Sequence, residues 1–318
     1  MHHILYHANC ADGFAAAVIA YHALKNSGLV NLQPVQYGQP DQMPLGKDGI
    51  LFPGDTVTYL DYTPPQETID AFYAEYNNSA IPLTILDHHS TAAERHGRDK
   101  TTGLTLENQP NPPFSSGFTL KMSGVSIAWA HFCSGVIFPR IVELIEWRDL
   151  GRAFDPANAC DPLTDDSLNL HAYLFRCLPR TIDAWTPLFF DQPGPRAAAL
   201  NIALHVGAKL RSIDRSIILS AVANPHWLNF HGDEIPAVNG LDAGLVSDTC
   251  TELLRAYPTA PFAASWFVDS KTGNLVYSLR SRRNSTVNVA EIAAASAPGG
   301  GGHPNAAGFS TQHPIPFV

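Results

Sequence analysis

Three short apolar stretches set the frame for this chain, because each stops at side chains that bind metals or protons. Residues 3–6 lead to His7 and, after a polar turn, Asp12; residues 57–60 end at Asp61; residues 83–86 end at Asp87-His88-His89. Helix-length segments separate them. An alanine-rich run extends from Gly13 to about Asn26 and is stopped near Gly28, and a second begins at Pro64-Pro65 and reaches about Tyr76. Proline is well suited to a first helical turn. Short strands alternating with helices predict a parallel sheet covered on both faces. In such a sheet the carboxyl ends of the strands open onto one crevice, so residues far apart in sequence meet there.

The middle of the chain, residues 120–223, reads as mostly helical, with apolar residues at three- and four-residue steps in 123–133, 139–147, 167–177 and 196–220. Around 224–233 the pattern breaks into a polar segment with proline and glycine, expected to be a connector. Strands are expected at 235–238, 262–268 and 275–279, helices at 243–256 and 287–295, and then a glycine run ending in His303. The expectation is an α/β protein with a parallel-sheet N-terminal domain (1–195), a helical insertion or linker (196–233) and a smaller α/β C-terminal domain (234–318). The active site would lie in the cleft between them. A chain of 318 residues, 45% hydrophobic, suits two domains with substantial cores.

Charge narrows the partners. With 20 Lys+Arg against 29 Asp+Glu, a net −9, the chain lacks the broad basic face that a duplex-wrapping protein needs. An anionic ligand would require a local cluster of cations, backbone amides or bound metal. Five cysteines (10, 133, 160, 177 and 250) are odd in number and show no C-x-x-C spacing, against both a disulfide framework and a zinc ribbon. The first residues lack a basic region followed by an apolar run, and no apolar stretch reaches the ~18 residues of a membrane span. A cytoplasmic protein without a membrane partner is expected.

Carboxylates and imidazoles gathered at one crevice repel and desolvate one another unless a cation joins them, and a pair of divalent ions is a simple solution. Metal-assisted phosphoester hydrolysis is the reaction class this implies. Taken singly, Asp12 also reads as an N-cap for the helix it precedes, and Asp61, before Thr63-Pro64, as a turn residue. A second constellation is Gly299-Gly300-Gly301-Gly302-His303, whose backbone can approach an anion closely; alone it also reads as a linker. Upstream, Arg280, Arg282 and Arg283 follow an expected strand, either as a phosphate clamp or as a solvated turn.

These residues together resemble the DHH phosphoesterases with a DHH-associated C-terminal domain. The likeness is carried by His7-Ala8-Asn9-Cys10-Ala11-Asp12-Gly13, Asp61, Asp87-His88-His89, Glu146-Trp147-Arg148-Asp149-Leu150, and the glycine run through Gly308. The resemblance implies two manganese ions, with magnesium or cobalt as alternatives. One would take His7 and Asp61, the other Asp12, Asp61, His88 and Asp149. Asp61 would bridge them and His89 would face the scissile phosphate, while Gly300, Gly301, Gly302, His303 and Arg280 would hold the substrate. It further implies hydrolysis of short single-stranded oligonucleotides, or of cyclic or linear dinucleotides, to nucleoside 5′-monophosphates. A long duplex is not expected as a substrate, and a homodimer is compatible with the family. A phosphomonoesterase or exopolyphosphatase, acting on pAp or polyphosphate, and a non-hydrolytic nucleotide sensor are the alternatives. One position departs from the family: where many members carry an aspartate two residues before the one matching Asp12, this chain has Cys10. The first ion is therefore expected to bind more weakly, or to be a different one.

Overall fold

The computed structural model describes residues 1–37, 51–76, 81–106, 112–230, 232–240, 243–283 and 285–318. Its first sheet is built from β1 (His2–His7), β2 (Val30–Val35), β3 (Thr56–Leu60), β4 (Leu83–Asp87) and β5 (Ser115–Phe118), in the order β2-β1-β3-β4-β5. Every pairing is parallel, as the alternation of strands and helices predicts. Register then decides where the chemistry goes. Tyr6 lies beside Leu60 and Leu60 beside Leu86, so the next residues, His7, Asp61 and Asp87, leave the sheet side by side.

Alternate strand residues feed the two faces. Ile4, Leu60 and Leu86 pack against Ala16, Ala17 and Ala20 of α1 (Ala11–Leu24) and Ile127 and Ala128 of α3 (Gly124–Phe132). Leu5, Tyr59 and Ile85 pack against Ile69 and Phe72 of α2 (Gln66–Tyr76) on the opposite face. The helical section continues with α4 (Arg140–Asp149), α5 (Pro162–Arg176), α6 (Ile182–Phe189) and α7 (Pro193–Ala223). Leu200 and Ala203 of α7 belong to the first lobe's core, whereas Ile218 and Val222 belong to the second lobe's. One long helix therefore has an end in each core.

The second sheet is mixed, with strands β6 (His226–Phe230), β7 (Asp233–Asn239), β8 (Phe262–Val268), β9 (Leu275–Ser281), β10 (Gly301–His303) and β11 (Ala306–Thr311) in the order β10-β11-β9-β8-β7-β6. Among the described residues of this sheet, only β7 and β8 pair in parallel. Helix α8 (Val246–Ala256) joins a core with Val238 and Ala263, and α9 (Val289–Ser296) one with Ala264, Tyr277 and Phe309. Phe230 and Phe309 are core residues; Phe309 stacks on Tyr277 with ring centroids 5.0 Å apart.

The expected connector at 224–233 is corrected by the structure. His226–Phe230 is a strand that pairs antiparallel with β7 and buries Leu228 and Phe230 completely (residue 231 lies outside the described residues). Among the described residues, no helix is long and apolar enough to cross a membrane.

Candidate metal centre

The ends of β1, β3 and β4, the first turn of α1 and the last turn of α4 together bring His7, Asp12, Asp61, His88 and Asp149 into one cluster. His88 is its hub. Its Nε2 lies 3.0 Å from Asp61 Oδ1, 3.4 Å from Asp149 Oδ2 and 3.7 Å from Asp12 Oδ2. His7 Nδ1 approaches Asp61 Oδ2 at 3.4 Å, and His89 Nδ1 lies 3.8 Å from Asp61 Oδ1. Asp61 sits between the two halves of the cluster and holds a left-handed backbone, φ 57°, immediately after β3. Aspartate and asparagine tolerate this conformation better than most residues, and such strain is typical of functional sites.

Asp12 does not cap its own helix, whose N-cap is Cys10, with no side-chain capping bond. Its carboxylate instead caps α3. Ser123 Oγ donates to Oδ1 at 2.7 Å, the Gly124 amide to Oδ2 at 2.5 Å and the Val125 amide to Oδ1 at 3.0 Å. The free N–H groups of a helix start and its positive dipole end thus fix this acid. Gly124 is needed for the approach, since a Cβ there would lie 2.6 Å from Asp61 Cβ and 2.8 Å from Asp12 Oδ2. Gly13 serves the other side, where a Cβ would press on the His7 carbonyl oxygen at 2.5 Å.

The electrostatics of the protein alone call for positive charge here. Burial, together with Asp149 and Asp61, pushes the Asp12 carboxyl well above the ordinary range. Burial also raises Asp149, with Asp61 adding to it. Burial opposes ionisation of Asp61 too, yet the His7 and His88 imidazoles hold its carboxyl well below the usual values. His88, despite its burial, is raised to about 10 by the three carboxylates around it. Among the described residues, four buried polar atoms of the cluster make no hydrogen bond: His88 Nδ1, and His7 Nδ1, Asp61 Oδ2 and Asp149 Oδ2, whose neighbours in the cluster stand 3.4 Å away without hydrogen-bond geometry. Buried polar atoms are nearly always paired, so orphans concentrated among carboxylates and imidazoles fit divalent cations.

Asp87, adjoining this cluster through Asp61, holds His89. Its Oδ1 accepts from His89 Nδ1 at 2.8 Å and from the His88 and His89 amides. Its Oδ2 accepts from Thr63 Oγ1 at 2.6 Å, and Thr63 in turn lies 2.9 Å from His96 Nε2, with His96 Nδ1 2.6 Å from Ser116 Oγ. Since Thr63 spends its proton on Asp87, His96 Nε2 must donate to it, and Ser116 donates to Nδ1. Burial pushes His96 down to about 4, so the native state keeps it neutral. The unfolded chain, with a histidine near 6.5, takes up the proton first. This contribution to stability is therefore complete above pH ~6.5 and is lost as pH falls toward about 4, reaching about 3 kcal/mol. Denaturant unfolding at pH ~7.5 and ~5 should show the wild type losing about 2 kcal/mol more than His96→Gln. Equal losses in both proteins would count against a neutral His96.

The second lobe meets the cluster through its glycine strand. His303 stacks on His89 with centroids 4.6 Å apart at 21° and lies 4.8 Å from His88; Ser90 Oγ donates to the Gly302 carbonyl at 3.2 Å. Burial, with His89 and His88 nearby, keeps the His303 imidazole well below its ordinary range. The glycines are not a flexible loop. Gly301–His303 forms β10, Gly302 has φ 140° where β10 pairs with β11, and Gly300 is pressed on the Ala293 carbonyl of α9. Gly300 is therefore placed against α9 rather than on the cavity wall, and the expected phosphate cradle is reduced to Gly301, Gly302 and His303.

Between the lobes lies a cavity of about 1330 Å³, lined on one side by His7, Asp12, Asp61, His89 and Asp149 and on the other by Arg280, Gly301, Gly302 and His303. Arg280 is held in place by two bonds to Ser247 Oγ (3.2 and 3.1 Å) and one to the Leu279 carbonyl. Sequence reasoning missed Tyr37, which adds an aromatic wall 5.3 Å from the His7 ring and 5.6 Å from the His89 ring. Arg148, which the sequence offered only as part of the Glu146–Leu150 motif, crosses between lobes to Asp248 at 2.9 Å. Tyr37 carries no local signal, because its partners are remote in sequence.

No protein-family model matches the chain, and no curated protein matches it in sequence. Several solved structures are similar to it at low identity. An uncharacterized protein from Helicobacter pylori G27 is 14% identical, with 100% of this chain and 95% of that one covered and a TM-score of 0.35. Exonuclease RecJ bound to manganese is 15% identical, with coverage of 98% and 85% and a TM-score of 0.43. A pGpG-specific phosphodiesterase, PggH, from Vibrio cholerae is 15% identical, with coverage of 98% and 92% and a TM-score of 0.36. At that level of likeness, none of them carries a function over to this chain.

Proposed function

We propose that the chain is a metal-dependent phosphoesterase of the DHH type that hydrolyses short oligonucleotides, or cyclic or linear dinucleotides, to nucleoside 5′-monophosphates. One observation carries this reading: His7, Asp12, Asp61 and Asp149, gathered around the buried His88 with polar atoms that no hydrogen bond satisfies, face an arginine and a histidine across a shared cavity. His7, Asp12, Asp61, His88 and Asp149 would hold the ions. When bound, such ions polarise a phosphoryl oxygen and lower the pKa of an attacking water.

The remaining work falls to the protein's own groups. The Asp87 hydrogen bond fixes the His89 ring and leaves Nε2 as its second nitrogen toward a phosphate oxygen. Arg280, already oriented by Ser247, supplies a guanidinium for the substrate's other phosphate, and His303 closes over His89 to exclude water. The cavity, about 1330 Å³, leaves room for a ligand of dinucleotide size.

A substrate panel tests this directly. The full chain with manganese is expected to release nucleoside 5′-monophosphates from pApA, a five-nucleotide RNA or cyclic dinucleotides. Orthophosphate released from pAp or polyphosphate, with the diesters left intact, would replace this reading with the phosphomonoesterase one. Within the diesterase reading, His303→Ala and Arg280→Ala should each raise KM about tenfold and change kcat less, because they bind rather than activate.

A further inference from the structure

The turn from β1 into α1 offers the centre two side chains, Asn9 and Cys10, and the structure separates them. Asn9 adopts φ 56°, and its amide is engaged sideways: Oδ1 accepts from Arg180 Nη1 at 3.1 Å and Nδ2 donates to Gln36 Oε1 at 3.4 Å. Cys10 is a free, half-buried thiol on the cavity wall. Its Sγ, a His7 ring nitrogen and an Asp61 carboxylate oxygen all lie within 4.8 Å of one another. Two atoms of these partners, His7 Nδ1 and Asp61 Oδ2, lie 3.4 Å from each other and are buried without a hydrogen bond, and Asp61 is only 1% exposed.

We propose that Cys10 is a thiolate ligand, completing with His7 and Asp61 a nitrogen–sulfur–oxygen site for a thiophilic divalent ion such as zinc or cobalt. The inference rests on the metal-centre reading above and assigns the character of one half of it. The other half, Asp12, His88 and Asp149, brings two carboxylates and one imidazole within the same 4.8 Å and no sulfur, a harder set suited to manganese or magnesium. Thiolate sulfur selects softer metals, so the two halves differ in preference although they share Asp61. Binding displaces the thiol proton to solvent, as metal ligation by cysteine requires.

Cobalt distinguishes the outcomes, because a cobalt–thiolate bond gives a near-ultraviolet charge-transfer band that oxygen and nitrogen ligands do not. The full chain is titrated with cobalt(II) while bound metal is counted by equilibrium dialysis. The expected result is a charge-transfer band that saturates at one equivalent and is lost in Cys10→Ser, while the variant still takes up cobalt at the harder set. Cys10→Asp should lose the band too and lower the preference for zinc over manganese about tenfold or more. Two bound cobalt ions without the band in the wild type would overturn the proposal. So would a band that persists in Cys10→Ser, since it would then come from another of the cysteines. A wild-type chain that binds no divalent ion would fail the metal-centre reading itself, a result separable from the other two by the dialysis count.

Discussion

Asp61→Asn is expected to reduce manganese-dependent diester hydrolysis by at least about three orders of magnitude, about 4 kcal/mol of transition-state stabilisation, while leaving the chain folded. Asparagine is the informative replacement. It keeps the shape of the side chain and accepts the left-handed backbone at φ 57°, where alanine would add strain of about 1–2 kcal/mol. What it removes is the charge between His7 at 3.4 Å and His88 at 3.0 Å. Both halves of the cluster use that carboxylate, so neither keeps its ligand set. Circular dichroism and a thermal melt would report the fold, and initial rates of nucleotide release the activity. A variant within tenfold of the wild type would remove Asp61 from the centre.

Gly124→Ala should produce the second largest effect, a loss of about a hundredfold in metal affinity and activity, from a residue that donates no side chain. The added methyl group would lie 2.6 Å from Asp61 Cβ, 2.8 Å from Asp12 Oδ2 and 2.9 Å from Asp61 Oδ1. Something must move, and the nearest atoms belong to the side chains of Asp61 and Asp12. Retreat of α3 would instead break the Ser123, Gly124 and Val125 bonds that hold Asp12. Either response separates the acids, so metal titration should weaken in parallel with turnover. Unchanged metal affinity would mean that the start of α3 does not support Asp12.

How much of this was legible in the sequence follows from where each signal resides. Strands β1, β3 and β4 form the buried centre of a parallel sheet, and their apolar stretches, Ile4-Leu5-Tyr6, Tyr59-Leu60 and Ile85-Leu86, stand out and fix the row of His7, Asp61 and Asp87. The edge strands carry no such demand. Val30–Val35 contains Asn31, Gln33 and Pro34, and Ser115–Phe118 begins Ser-Ser-Gly, so neither reads as a strand without the neighbour it pairs with. His226–Phe230 does alternate, with Leu228 and Phe230 inward, but its short length between Pro225 and Gly232 resembled a connector. The glycine run was legible as a special backbone but not for its purpose, because the close approach of Gly300 to Ala293 is a tertiary fact. Asp12 was legible as a cap, though of the wrong helix. Nothing local to it shows that α3, more than a hundred residues on, points its N-terminus there.

The left-handed turn after β3 narrows what evolution can place at position 61. Glycine and asparagine suit that backbone but bring no anion. Glutamate brings the anion but fits that backbone poorly, and its extra methylene carries the carboxylate off the position 3.0 Å from His88 Nε2. A single side chain meets both requirements, so drift here is confined by conformation as well as by chemistry.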